Sequence, residues 1–150
     1  MLYHVYKLQM SDAARDALNS AGSWDAHAES KAYAALRHGL RNNDNMPHMA
    51  MSAALMGMYH HGLTVEAPTM DAVFQYDNNA PASMVANVHP VYHCRGLPSM
   101  SVGDVVVSKN GVTICAPYGW IALPKEAALG FAVMAKRIAC QRPNALPNAA

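Results

Sequence analysis

The chain has 150 residues, enough for one domain of ordinary size with a real core, and its 52% hydrophobic content excludes a disordered chain. Eleven Lys and Arg stand against ten Asp and Glu, with no run of basic residues, which disfavours a protein that grips nucleic acid mainly through phosphates. No apolar stretch approaches the roughly 20 residues needed to span a bilayer, and the start, Met1 to Lys7, lacks the pattern of a signal peptide.

With only two Phe and two Trp among many Ala and Met, the core is expected to be built from small and flexible side chains with few aromatic anchors. The three cysteines, Cys94, Cys115 and Cys140, are widely spaced without a CxxC pair, which fits reduced thiols.

In chain order, Leu2 to Met10 reads as a short strand. Ser11 caps a first helix that Gly22 ends. Ser23 caps a second, with Trp24, His27, Lys31, Ala35 and Leu36 at helical spacing as far as Gly39. Leu40 to Asn45 is a loop. Asn45 then caps a third helix with Pro47 in its first turn. That helix carries Met46, Met49, Met51, Leu55, Met56 and Met58, is apolar around most of its circumference, and should run buried to about His60-His61-Gly62.

Leu63 to Pro68 reads as extended, and Thr69 caps a brief helix from Met70 to Tyr76. The Val105–Ile114 segment predicts a hairpin, with Asn110-Gly111 as a type I′ turn. A further strand covers Gly119 to Leu123, and a last helix opens at Pro124 and ends near Cys140. Strands cluster rather than alternate with helices, so the fold expected is α+β: a helical N-terminal half packed on a small antiparallel sheet, plus a C-terminal helix. The whole forms one domain, 1–150, mainly helical over 1–62, β-rich over 63–123, helical over 124–140, with a tail at 141–150.

No constellation of reactive side chains is apparent. Met46 to His61 carries the soft ligands that suit copper(I), but methionine spacings of two, five and two scatter around a helix. His60-His61 and His89-x-x-x-His93, with Cys94, are fragments of a zinc pattern lacking four closely spaced ligands. There is no G-x-S-x-G elbow, the acids are scattered, and the glycines are mostly isolated. The expectation is no enzyme, no metal and no cofactor. Gly103-Asp104 predicts a tight turn in which the Asp binds nearby amides and sets strand register, in preference to a ligand-contacting loop.

Ser99-Met100-Ser101-Val102-Gly103-Asp104-Val105-Val106, the Asn110-Gly111 turn and Pro117-Tyr118-Gly119-Trp120 together resemble a family of small proteins encoded by bacteriophages and mobile elements. Tyr59 to Leu63 and Asp71 to Asn78 are similar to its upstream segments. The likeness runs from Tyr59 to Leu123, and a comparable strand–turn–strand occurs in the related YodL-like domain, which is associated with interference with cytoskeletal proteins. The resemblance implies an accessory protein acting in the cytoplasm of an infected bacterium, binding a host protein, with no catalytic residue.

The surface expected to make that contact comprises His93, Arg95, Met100, Tyr118 and Trp120, because Tyr, Trp and Arg are the usual anchors of interfaces. Trp120 has a second reading of equal weight, that it closes the core. Two alternatives from other classes stay open: a module that stacks single-stranded nucleic acid, and a self-associating or virion component using the 46–61 helix.

Overall fold

The computed structural model describes residues 1–38, 45–78, 80, 85, 87–94 and 96–141, with side chains to Val133 in the last helix. Among them the order is β1 (Leu2–Leu8), α1 (Asp12–Ala21), a 3₁₀ turn (Trp24–Ala26), α2 (Ala28–His38), α3 (Met46–Leu55), β2 (Tyr59–Glu66), α4 (Met70–Asp77), β3 (His89–His93), β4 (Val105–Ser108), β5 (Gly111–Cys115), β6 (Trp120–Ala122) and α5 (Lys125–Gln141). Residues 40–44 of the predicted loop and the tail from Arg142 lie outside the described residues. The fold is α+β, as expected.

The six strands form one antiparallel sheet in the order β3-β2-β1-β4-β5-β6. The first strand in sequence is therefore central, held by β2 on one side and β4 on the other. Alternate side chains of a strand point to opposite faces, so both faces of a central strand must be covered. Tyr6 and Leu8 of β1 join Val105, Val112 and Ile114 beneath α2, α3 and α5. Tyr3 and Val5 join Leu63, Val65 and Val106 beneath Val73 of α4 and Met100. No helix among the described residues is long and apolar enough to cross a membrane.

Local signals act where they were read. Ser11 Oγ accepts from the Ala14 amide and Thr69 Oγ1 from the Ala72 amide, while Gly22 closes α1. Several expectations are corrected. The Ser23 hydroxyl caps only a 3₁₀ turn, after which His27 is extended and α2 begins anew. Asn45 makes no side-chain cap, although α3 does start there with Pro47 in its first turn.

The third helix ends at Leu55, not near Gly62, because Gly57 adopts a φ of 72° and Tyr59 to Leu63 pair with β1. The 62/63 division thus falls inside β2. α3 is also one-sided: Met46, Ala50 and Ala53 are buried, at spacings of four and three, but Leu55 is 91% exposed. Finally, Ser108 pairs with Gly111, so Lys109-Asn110 are the turn residues, and Asn110 does not take the positive φ of a type I′ turn. The core does have aromatic anchors, supplied by Tyr3, Tyr6, Tyr59 and Phe131.

Candidate functional site

Two polar arrangements and one aromatic corner hold the residues that could carry a function. The first is an ionic cluster under the sheet end. Asp104 is wholly buried, and its carboxylate accepts from the Leu8 amide (2.8 Å), the Ser101 amide (2.9 Å) and Arg37 Nη2 (2.8 Å), with Lys7 Nζ at 3.9 Å. Lys7, also buried, is paired with Asp77 of α4. Its stem needs Gly62 opposite, since a Cβ there would lie 2.9 Å from Lys7 Cγ.

Burial pushes the Asp104 pKa up, against the pull of Arg37, the two amides and Lys7. For Arg37, burial acts downward and is outweighed by Asp104, leaving its pKa raised and the guanidinium charged. The hydrogen bonds of Arg37, Lys7 and Asp104 join β1, α2, α4 and the turn before β4, which makes the cluster a structural tie. The Gly103-Asp104 turn that the sequence predicted is its local part; Arg37, Lys7 and Asp77 carry no sequence signal that would join them to it.

The second arrangement lies on β1–β3. Thr64 Oγ1 stands 2.9 Å from His4 Nδ1 and 2.7 Å from His61 Nε2, and His61 stacks on Tyr92 with centroids 5.0 Å apart. A hydroxyl can donate to one imidazole while accepting from the other, so the group orients two rings. Desolvation lowers the pKa of His4. The Thr64 hydroxyl is buried between the rings rather than presented to a substrate. Among the described residues, no group of three or more His, Cys, Asp and Glu side chains is arranged to hold a metal ion.

The aromatic corner lies at the opposite edge. The turn Ala116–Gly119 closes with a 3.0 Å bond from the Ala116 amide to the Gly119 carbonyl and lifts Tyr118 to its tip, where the side chain is 88% exposed. Trp120 follows as the first residue of β6. Its indole Nε1 donates to Asp71 Oδ1 at 3.0 Å, and its ring meets Phe74 nearly at right angles (86°), with centroids 6.3 Å apart. Thr69 fixes the start of α4, and the i, i+3 spacing puts Asp71 and Phe74 on one side of it. A cavity of about 280 Å³ lies between Asp71, Phe74, Pro117, Gly119 and Trp120.

Of the five residues expected at a partner surface four are described, and of these only Tyr118 and Trp120 come together here. Trp120 is half-buried against the second core cluster and also lines the cavity. Met100 is 2% exposed and belongs to the core, where the apolar underside of the sheet covers it, so it cannot contact a partner. His93 is exposed but lies on the β3 edge, five strand spacings or about 24 Å from β6. Arg95 lies outside the described residues. Sequence reasoning missed Asp71 and Phe74; their helical spacing was readable, but their proximity to Trp120 was not. Comparison with protein-family models, with curated proteins and with solved structures finds no match to this chain.

Proposed function

We propose that the chain is a non-enzymatic accessory protein of a bacteriophage or mobile element that docks on a bacterial host protein, using the Pro117–Trp120 turn as its contact. The observation that carries this reading is Tyr118, almost fully exposed at the tip of a turn whose next ring, Trp120, is pinned by Asp71 and Phe74. A large aromatic side chain left in water beside a pre-oriented indole fits an interface anchor, since such rings add contact area at little cost in conformational freedom. The phage origin and the cytoplasmic setting rest on the motif resemblance. The polar clusters fit a non-catalytic role, because their donors and acceptors satisfy one another.

The test is a quantitative pull-down from bacterial lysate with wild type, Tyr118→Ala and the distant surface variant Lys109→Ala. A specific host protein retained by wild type and Lys109→Ala, but lost with Tyr118→Ala, supports the reading. Equal capture by all three overturns the choice of surface.

Self-association is a second reading, favoured by exposed apolar side chains along α3 and α5. Leu55, Leu129 and Val133 are exposed near a groove lined by Met51, Ala54, Ala127 and Phe131. A dimer by light scattering that Leu129→Lys dissociates supports it, and a monomer at high concentration removes it.

A further inference from the structure

Beyond the docking surface, and resting on that reading, the aromatic corner has a charge that defines what it accepts. Asp71 is exposed at the start of α4, and one of its oxygens takes the Trp120 indole N–H. Among the described residues no Lys or Arg pairs with it: the ion pairs there use Asp12, Asp25, Glu29, Asp77 and Asp104. A carboxylate with no counter-ion among the described residues thus sits at the edge of a cavity walled by two rings.

Those rings stand perpendicular. A planar cation lying flat on one of them therefore meets the other with its edge, and both contacts are attractive because the π-face of an aromatic ring carries negative charge. Trp gives the strongest such contact, and a guanidinium stacks on it while keeping its N–H groups free for a carboxylate in the same plane. An ammonium, a compact and strongly hydrated point charge, uses this geometry less well. A neutral apolar side chain would leave the carboxylate uncompensated as the interface dries.

We infer that the corner formed by Trp120, Phe74 and Asp71 is a receptor for an arginine side chain of the partner, stacked on the indole and paired with the free oxygen of Asp71. Tyr118, at the tip of the turn that lines the same cavity, contacts the partner surface around that arginine.

The test uses the full chain and N-acetyl-arginine methylamide as the probe, following the two indole N–H resonances by NMR. Trp24→Phe assigns the Trp120 signal. The expected result is a saturable shift of the Trp120 resonance with a Kd of about 1–10 mM, as suits one side chain without the rest of its protein. The neutral isostere N-acetyl-citrulline methylamide should produce no saturable shift. Asp71→Asn should weaken arginine binding by about tenfold or more, as expected for loss of a charge-assisted hydrogen bond, while lowering the melting temperature by no more than about 4 °C.

Equal response to arginine and citrulline overturns the inference, as does an unmoved Trp120 resonance at about 100 mM probe. Unweakened binding to Asp71→Asn overturns it too. Failure here is distinguishable from failure of the docking reading. If Tyr118→Ala abolishes capture of the host protein while arginine leaves the indole unmoved, the surface stands and the arginine receptor falls.

Discussion

Arg37 Nη2 and Asp104 Oδ1 lie 2.8 Å apart although 67 positions separate them in the chain. The same guanidinium also donates to the carbonyls of Leu8 (2.9 Å) and Val102 (2.6 Å), and it lies over the Tyr33 ring at 5.2 Å. One side chain on α2 thereby fixes the end of β1 and the turn before β4. Asp104→Asn leaves a buried guanidinium without its counter-charge. It is expected to cost about 3–5 kcal/mol, or about 6–20 °C in Tm at this chain length. Urea denaturation measures it, and adding Arg37→Met should recover part of the loss.

Gly103, immediately before this aspartate, has a φ of 92°, and a Cβ on it would lie 3.2 Å from Leu36 Cβ and 3.4 Å from Leu8 Cδ2. Gly103→Ala therefore combines an unfavourable backbone conformation with a tight contact, and is expected to cost about 1–3 kcal/mol. Gly111→Ala, with φ 127° and open space around it, carries the backbone penalty alone. Thermal melting should rank Gly103→Ala below Gly111→Ala.

The sign of the pH effect at His4 follows from its environment. Desolvation sets the folded-state pKa below the ordinary 6.5. As pH falls, the unfolded chain takes up its proton first, so the contribution of this group is present above 6.5 and is lost as pH drops toward the folded value. Wild type is expected to lose more stability than His4→Gln between about pH 7.5 and about pH 5.5, measured by denaturant titration at each pH. Equal losses would remove His4 as a source of acid sensitivity.

Cys115 is buried on β5, and burial pushes its thiol up to about 11. Only the thiolate reacts with alkylating reagents. Mass spectrometry after iodoacetamide treatment of the native protein at about pH 8 should find Cys115 unmodified, and modified once urea unfolds the chain.

Tyr118 and Trp120 should separate in a stability measurement. Truncating Tyr118, which is almost wholly in water, is expected to change stability by less than about 0.5 kcal/mol. Trp120→Ala removes the Phe74 contact and the bond to Asp71, with an expected loss of about 1–3 kcal/mol. Thermal unfolding of both variants checks this. Equal melting temperatures would mean that Trp120 adds nothing to the core.

What the sequence determined by itself is a set of features that act over a few residues. The caps at Ser11 and Thr69, the end of α1 at Gly22, the β4–β5 hairpin and the turn in which Asp104 binds the Ser101 amide all depend on backbone groups close along the chain. Even there, the choice of turn residues shifted by one position, because strand register, not turn preference, placed Ser108 opposite Gly111.

Tertiary structure alone decided what lies far apart in sequence. Nothing local marks β1 as a central strand or Tyr59 to Gly62 as a continuation of the sheet; both follow from burying two faces of one antiparallel sheet at once. Lys7 is buried by the sheet although it is charged, and Asp77, 70 positions away, compensates it. The candidate site has the same origin. Tyr118 and Trp120 were legible as aromatic residues on a turn, but their cavity exists only because α4 crosses the sheet and delivers Asp71 and Phe74 to them. Short-range backbone chemistry is written residue by residue, whereas charge compensation and concave shape arise only when distant segments exclude water together.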